Sequence, residues 1–242
     1  MKLIKLDAID STNEFLKGLS AQQDLENFTV VTAENQTKGK GQRGAVWNSE
    51  VGKNLIMSVL VRDFLTDINA IFNLNIAFSL AVIAALKKKN IPDLSIKWPN
   101  DILSANKKIG GILIENSIKS DAAILSIVGL GLNVNQTNFE GLPNASSLSI
   151  VIGQDLDKEE LLSEIMANLE KNVAESLQKP TNLRQQYLDL IYKKEIPIPF
   201  MNQNNEKFMG IIKGISPIGR LLVLLEDDSV VEFDIKEVQM LY

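Results

Sequence analysis

The order of apolar and polar residues changes period several times along the chain, and each change marks a predicted element. Short runs rich in β-branched and apolar residues predict strands at residues 2–9, 27–35, 53–63, 94–101 and 122–135. Longer runs with helical spacing predict helices at residues 11–22, 68–90, 157–178 and 181–193. Ser11 and Glu14 have the spacing of a capping box, so the first helix is expected to begin at Ser11.

Two further patterns complete the predicted fold. Residues 102–116 contain two apolar runs around the turn sequence SANKK, which predicts a β-hairpin. After residue 193 the chain changes to short strands separated by Gly, Pro and Asp turns, as in a small β-barrel. We therefore expect an α+β fold, with a mixed, largely antiparallel sheet and flanking helices over residues 1–193 and a barrel over residues 194–242.

The composition limits the chemistry. The 242 residues are 45% hydrophobic and 23% charged, as in an ordinary globular protein, and they include neither His nor Cys. Disulfides, thiolate nucleophiles, Ser-His-Asp triads and HExxH zinc sites are therefore excluded. Charged side chains, amides, hydroxyls, backbone N–H groups and a hard metal ion remain, and this set suits polyanion binding and electrostatic catalysis.

Charge and hydropathy also limit the partners. The net charge of −5 argues against nucleic-acid binding. The apolar run at residues 76–86 is too short to span a bilayer and is followed by three lysines, so we expect a buried core helix and no membrane partner. The N-terminus lacks the features of a signal peptide, and a cytoplasmic location is the expectation.

A glycine-rich loop, QTKGKGQRGAVW at residues 36–47, is the first candidate for chemistry. Its GKGQRG matches G-x-G-x-x-G, but no helix follows it as a Rossmann fold requires. A protein kinase is excluded because its H-R-D motif needs a histidine, and a Walker A loop is excluded because Ala45 and Val46 follow the last glycine. Two interpretations remain: an anion-binding loop whose backbone N–H groups face the ligand, or a solvated surface loop.

Four more motifs accompany the loop. They are STN at residues 11–13, KWPND at 97–101, KKIGGILIEN at 107–116 and GLGLNVN at 129–135. In this order and spacing, and with the small barrel at the end, the chain resembles the biotin protein ligases over nearly its whole length. Each motif is unspecific alone, and the ordered set is specific.

The resemblance implies a class II synthetase-like catalytic domain, an SH3-like C-terminal barrel and a two-step reaction. Biotin and ATP, with Mg²⁺, give biotinyl-5′-AMP and pyrophosphate, and a lysine of a biotin carboxyl carrier protein or domain then attacks the mixed anhydride. Such a reaction needs no protein nucleophile, which agrees with the absence of His and Cys. Relatives can pair through sheet edges, so a homodimer is an open alternative to a monomer.

The resemblance also assigns roles to residues. The biotin-contacting set would be Ser11, Thr12, Asn13, Gln36, Gly39, Lys40, Gly41, Gln42, Lys108 and Gly111. The nucleotide-contacting set would be Lys40, Arg43, Trp47, Asn100, Gly131 and Asn133. The catalytic set would be Lys108, Lys97 and Asp101, and no residue is assigned as a metal ligand.

Each role has a structural alternative. Ser11 can act as a helix cap alone, Trp47 as a core aromatic residue and Asp101 as a turn carboxylate. Within the lysine pair we expect Lys108 to carry the catalytic charge and Lys107 to be a solvated hairpin residue.

The chain departs from the family in its loop, which is usually G-R-G-R-x-G. Lys40 replaces the first arginine and Gln42 the second, so the bidentate fork is lost at both positions and the charge at one. About ten residues precede STN, which leads us to expect no DNA-binding domain and no DNA partner. The alternatives are a lipoate or octanoyl ligase of the same superfamily and a non-catalytic biotin-binding sensor.

Overall fold

The protein is described here by a computed structural model that covers residues 2–65, 71–118 and 124–241. Four side chains within these ranges lie outside the description: Arg43, Leu177, Gln178 and Pro180. The strands are β1 (Leu3–Ile9), β2 (Val30–Gln36), β3 (Leu55–Arg62), β4 (Leu94–Lys97), β5 (Asp101–Ser104), β6 (Lys107–Ile118), β7 (Ile124–Leu132), β8 (Pro197–Asn202), β9 (Lys207–Ile215), β10 (Leu221–Leu224), β11 (Val230–Phe233) and β12 (Val238–Met240). The helices are α1 (Thr12–Gln22), α2 (Ile71–Lys88), α3 (Leu148–Ile152), α4 (Lys158–Gln178) and α5 (Pro180–Asp189).

The first seven strands form one sheet in the order β1-β2-β3-β7-β6-β5-β4. Strands β1 and β2 are parallel, because α1 connects them, and every other neighbouring pair is antiparallel. Strands β5 and β6 form the hairpin predicted at residues 102–116, with a two-residue turn at Ala105 and Asn106. The structure thus confirms the α+β class and the largely antiparallel sheet.

Helices α2, α4 and α5 cover one face of this sheet. Among the described residues, α2 is the one helix that is long and apolar enough to cross a membrane, and 67% of it is buried in the protein. Its sequence is apolar on all sides because it packs between the sheet and the other two helices. The helix predicted at residues 68–90 is therefore a core helix, and residues 68–70 lie outside the described part.

Helix α1 packs on the opposite face of the sheet. The Ser11 side chain is its N-cap and accepts from Glu14 N at 3.5 Å, as the capping-box spacing predicts. Leu16 is fully buried and contacts a small cluster that includes Leu125 and Ile127 of β7. Because α1 is short, it covers only part of this face, and the remainder is open at the helix N-terminus.

The last five strands form a second, antiparallel sheet in the order β11-β10-β9-β8-β12. Phe200, Phe208 and Phe233 stack across it with ring centroids 5.5 and 5.8 Å apart. This small antiparallel unit fits the expected SH3-like barrel. The boundary between residues 193 and 194 stays a prediction; Ile191 bridges to Ile96 of the first sheet and Lys194 to Ile212 of the second.

Two helix predictions differ from the structure. Helix α3 was not predicted, because five residues are too few for a helical period; Ser147 caps its N-terminus and Gly153 ends it with φ of +74°. The last predicted helix, 181–193, ends at Asp189 instead. The reason is tertiary: Leu190 accepts from Ile96 N at 2.7 Å, so the chain leaves the helix to pair with β4.

Candidate active site

A cavity of about 240 Å³ opens on the face of the sheet that α1 leaves uncovered. It is bounded by the N-terminus of α1, the glycine loop and strands β3, β6 and β7. Twelve of the residues that the sequence singled out line it: Ser11, Thr12, Gln36, Lys40, Gly41, Gln42, Trp47, Asn100, Asp101, Lys108, Gly111 and Gly131. Folding therefore brings together motifs that are about 120 residues apart in the sequence.

The cavity exists because side chains are missing from one stripe of the sheet. Residues 125, 127, 129 and 131 of β7 share one face, since side chains alternate along a strand. The first two are the apolar residues beneath α1, and the last two are glycines. A Cβ on Gly129 would lie within 3.0 Å of Asn13 Oδ1, and a Cβ on Gly131 would lie 2.6 Å from Trp47 Cζ2. Any side chain there would displace the walls of the cavity.

One end of the cavity carries neutral hydrogen-bonding groups. Gln36 Oε1 accepts from Thr12 N at 2.8 Å and from Thr12 Oγ1 at 3.0 Å. With its oxygen engaged, the Gln36 side chain has its amide N–H groups to donate to a ligand. Ser58 Oγ, which is fully buried, lies 2.7 Å from Thr12 Oγ1 and 2.6 Å from Asn13 Oδ1. This end offers both donors and acceptors in fixed positions.

Asn13 serves this network from behind. Its Nδ2 donates to Glu115 Oε2 at 2.8 Å and to Leu113 O at 3.4 Å, and its Oδ1 faces Ser58. Asn13 therefore fixes α1 against β6 and β3, and it does not line the cavity itself. Sequence reasoning missed Ser58 and Glu115. Ser58 had a signal, because it is the one polar residue within the apolar run LIMSVLV.

The opposite end of the cavity carries charge. Lys108 Nζ lies 2.7 Å from Asp101 Oδ1, and it also lies 5.6 Å from the centroid of the Trp47 ring. The β5–β6 hairpin produces this arrangement, because Asp101 pairs with Gly111 three residues after Lys108. A Cβ on Gly111 would lie 3.4 Å from Lys108 Nζ, so the glycine gives the ammonium room over the strand. Lys107 points elsewhere and donates to Pro143 O.

Two further cavities meet the first at Asp101. One, of about 320 Å³, lies between Lys97, Lys108 and the loop at residues 141–145. The other, of about 420 Å³, lies between the KWPND turn and the C-terminal sheet and includes Gln42. Asp101 lines all three cavities, and Lys97 lines the two larger ones. Three separate ligand groups could therefore meet beside the Asp101 carboxylate.

Burial changes the basicity of Lys97. The pKa of its ammonium is lowered from the ordinary value by desolvation, and the Asp101 carboxylate opposes this effect. Lys97 and Asp101 are Cα partners in the β4–β5 pairing, so the KWPND turn holds the cation and the carboxylate next to each other. A desolvated cation interacts strongly with an anionic ligand, since little water competes for it.

The glycine loop folds over the cavity as a self-closed flap. Trp47 N donates to Gly39 O at 3.0 Å and Gly41 N donates to Ala45 O at 2.7 Å. The N–H groups of Trp47 and Gly41 are therefore bonded within the loop and are not available to an anion. At most the other N–H groups of the loop can face the ligand. The Arg43 side chain lies outside the described part of the structure.

An ion pair joins the flap to α1. Lys40 Nζ lies 2.7 Å from Glu14 Oε1. The hydrogen bond from Lys40 lowers the pKa of the Glu14 carboxyl, and the same bond raises the pKa of the Lys40 ammonium. Lys40 lines the cavity from this position.

Three more of the predicted residues, Asn100, Gly39 and Asn133, act by bracing the backbone around the site. Asn100 Nδ2 donates to Ile112 O, so this amide braces the KWPND turn against β6. Asn133 is buried and donates to Ser146 O at 3.0 Å, which anchors the segment after β7; Asn133 lines none of the three cavities. Gly39 approaches Gln36 and Trp47 at the base of the flap.

The residues of the site fit Mg²⁺ only if substrate phosphates supply part of its coordination. The described part of the chain holds no group of three or more acidic side chains around one point. Mg²⁺ commonly binds through one or two carboxylates together with substrate phosphates and water. Asp101 is the carboxylate that lines the cavity and could fill that role.

Comparison with known proteins identifies the class. The model of the biotin/lipoate A/B protein ligase family matches residues 6–133, so the chain belongs to this family. The chain is 31% identical over 233 residues to the bifunctional ligase/repressor BirA of Escherichia coli, covering 94% of this chain and 70% of that protein. It is 33% identical over 174 residues to BirA of Bacillus spizizenii, covering 70% of this chain and 53% of that protein.

A solved structure agrees with the whole architecture. The biotin protein ligase from Aquifex aeolicus, in complex with biotin and ATP, superposes with a TM-score of 0.82 at 28% identity. The match covers 99% of this chain and 98% of that one, and therefore includes both sheets.

Proposed function

We propose that this protein is an ATP-dependent biotin–protein ligase that forms biotinyl-5′-AMP and transfers biotin to a lysine of a biotin carboxyl carrier protein. The observation that carries the proposal is one cavity with a neutral donor–acceptor end at Thr12 and Gln36 and a cationic end at Lys108. Biotin has the matching polarity, with a cyclic urea at one end and a carboxylate at the other. Family membership and the Aquifex aeolicus complex support the same assignment.

In the first step, a biotin carboxylate oxygen attacks the α-phosphorus of ATP, and the bond to the pyrophosphate oxygen breaks. Negative charge collects on the carboxylate and phosphate oxygens between the two reactants. Lys108 would stabilise this charge, with Asp101 holding the ammonium in place, and Lys97 would face the nucleotide phosphates in the 320 Å³ cavity. Mg²⁺, held by those phosphates and Asp101, would add further charge neutralisation.

In the second step, the neutral amine of the acceptor lysine attacks the carbonyl carbon, and the bond between this carbon and the AMP oxygen breaks. The amine loses a proton, and the Asp101 carboxylate is the base at the junction of the cavities. The acceptor lysine would enter through the 420 Å³ cleft, which opens between the two sheets. No covalent enzyme intermediate is needed, because positioning and charge stabilisation are sufficient.

The neutral end of the cavity favours biotin over lipoate or octanoate. An alkyl or dithiolane end offers no acceptor for the Gln36 amide N–H groups, and a site built to hydrogen-bond its substrate rejects an analogue that leaves those groups unpaired. A sensor that only binds biotin would use Lys108 for the carboxylate but would not need Lys97, which lines the two neighbouring cavities and not the 240 Å³ cavity. We therefore propose catalysis, acting in the cytoplasm.

Biotin-dependent exchange between ATP and labelled pyrophosphate tests the proposal, with lipoate and octanoate as alternative acids. Exchange with biotin alone is expected. Exchange with lipoate or octanoate instead would assign the chain to the sister enzymes, and tight biotin binding without exchange would assign it as a sensor. Transfer to a purified biotin carboxyl carrier domain, followed by mass spectrometry of the acceptor lysine, tests the second step.

A further inference from the structure

The two sheets of the protein meet at the KWPND turn. The Trp98 side chain is buried, with 5% of its surface exposed, and its Nε1 donates to Gly219 O at 2.8 Å. Gly219 lies in the tight turn between β9 and β10, which is closed by the bond from Gly219 N to Ser216 O at 2.9 Å. A residue within a motif of the active site is thus hydrogen-bonded to a turn of the C-terminal sheet.

The turn that supplies this carbonyl is held rigidly. Gly219 has φ of +90°, and a Cβ there would lie 2.6 Å from Phe72 Cβ on α2, so the backbone approaches the helix as closely as it can. Phe72 packs edge-on against the fully buried Tyr187 of α5, with centroids 5.7 Å apart. Arg184 of α5 donates to Ser216 O and, at 3.0 Å, to Ile215 O. The position of the Gly219 carbonyl is therefore fixed by two helices.

The KWPND turn receives support from the other side as well. Asn75 Nδ2 of α2 donates to Pro99 O at 2.9 Å, and Ile112 N of β6 donates to Asn100 O at 3.0 Å. These bonds hold the turn against α2 and the first sheet. The hydrogen bond from Trp98 to Gly219 O ties the other side of the turn, next to Lys97, to the C-terminal sheet.

We propose that Trp98 and Gly219 position the reacting groups: the C-terminal sheet, through this hydrogen bond, sets the KWPND turn so that Asp101 and Lys97 face Lys108. Trp98 then acts through its neighbours and does not contact substrate. The inference rests on the proposed function for its kinetic test only. It gives the C-terminal unit a part in the chemistry that is separate from any contact it makes with the acceptor.

The test replaces Trp98 with Phe, which keeps an aromatic ring and removes the N–H donor. The expected result is a fall in kcat for biotin-dependent pyrophosphate exchange of roughly three- to tenfold, the size of effect that loss of one hydrogen bond produces. The KM for biotin should change less than kcat, because the hydrogen-bonding end of the cavity at Thr12 and Gln36 is built by α1 and β2 and not by the turn. The control is Phe208→Leu, which weakens the aromatic stack of the C-terminal sheet without touching Trp98.

A second measurement does not depend on activity. Hydrogen exchange of the Ile112 amide reports whether the turn stays in place, since this amide is bonded to Asn100 O. Faster hydrogen exchange at the Ile112 amide is expected in Trp98→Phe and not in Phe208→Leu. The proposal is overturned if kcat and Ile112 protection are unchanged in Trp98→Phe, or if Phe208→Leu reduces kcat equally. If the wild-type protein showed no exchange of pyrophosphate, the proposed function would fail, and Ile112 protection alone would decide the positioning role.

Discussion

Lys108 Nζ lies 2.7 Å from Asp101 Oδ1, and the Asp101 side chain lies where the 240, 320 and 420 Å³ cavities meet. The neighbouring Lys107 is exposed and donates to Pro143 O, outside the 240 Å³ cavity. The structure thus distinguishes two adjacent lysines that the sequence presents as a pair.

This difference predicts the effect of removing each lysine. Lys108→Ala should reduce the rate of biotin adenylation by at least about tenfold, because a hydrogen bond to a charged group contributes roughly 1.5–3 kcal/mol. Lys107→Ala is the matched control and should change the rate little. Single-turnover formation of biotinyl-5′-AMP measures both, and equal losses in the two variants would show that the assignment within the pair is wrong.

The ion pair between Lys40 and Glu14 predicts how the flap responds to pH and salt. The Glu14 pKa is lowered by Lys40, so the ion pair is complete above the ordinary carboxyl value and is lost as pH falls through the lowered pKa. The Lys40 pKa is raised, so the ion pair is also lost as pH rises through that value. The flap should be held closed across the neutral range and loosen in acid.

Glu14→Gln removes this pair without changing the shape of the side chain. Release of biotinyl-5′-AMP should become roughly two- to fivefold faster at low salt, and the difference from wild type should shrink at high salt because the pair is exposed. Glu159→Gln is a suitable control, since Glu159 pairs with Lys5 away from the cavity. A salt-independent difference would indicate that the flap is held by something other than charge.

The position of Gln42 predicts that an arginine there would retain biotinyl-5′-AMP more tightly. It lies where the 240 Å³ cavity meets the cleft beside the C-terminal sheet, and it replaces an arginine of the usual family loop. Gln42→Arg should slow the release of biotinyl-5′-AMP by about an order of magnitude, since a guanidinium can form two charge-assisted bonds to carboxylate or phosphate oxygens. Gln42→Lys separates charge from fork geometry. An unchanged release rate in Gln42→Arg would contradict this role.

The close contact between Gly131 and Trp47 predicts that a side chain at position 131 would weaken biotin binding more than it would destabilise the fold. A Cβ there would lie 2.6 Å from Trp47 Cζ2, so Gly131→Ala must displace the indole from the cavity wall. We expect the Kd for biotin to rise about tenfold or more. Gly18→Ala is the control, because within the described part of the chain no atom lies within 4 Å of a Cβ added at Gly18, which is exposed on α1. Alanine there should stabilise the protein by about 0.5–1 kcal/mol. Calorimetry of biotin binding and of unfolding tests both expectations.

The hydrogen bonds of Ser58 predict that its removal would lower biotin affinity, although Ser58 itself does not line the cavity. Ser58→Ala leaves Asn13 Oδ1 without its buried donor and frees the Thr12 hydroxyl to rotate, so biotin affinity should fall by roughly 1–3 kcal/mol. Ser79 is a matched control, since it is equally buried and its Oγ has no hydrogen-bond partner among the residues that the structure describes. Ser79→Ala should leave biotin affinity unchanged. If both variants bound biotin like wild type, the Thr12 network would not orient the ligand.

The local periodicity of the chain was enough to predict most elements and the class of the fold. Alternation and apolar runs identified the strands of the central sheet, and the all-round apolar run at residues 76–86 identified the core helix α2. The prediction was wrong where a tertiary contact overrode the local pattern, as at the end of α5, where residues 190–192 pair with β4. Helix α3 was not predicted because five residues are too few to show a helical period.

The sequence by itself determined which groups are available for chemistry: no imidazole or thiol, but lysines, one loop arginine and glycines at the ends of strands. Such properties are local, and they follow from residue type and spacing. Only the tertiary structure decided which of these groups share a site, because pairing of β5, β6 and β7 places Asp101, Gly111 and Gly131 side by side. The same long-range packing, which no local pattern encodes, placed Ser58 behind Thr12 and Gly219 beneath Trp98.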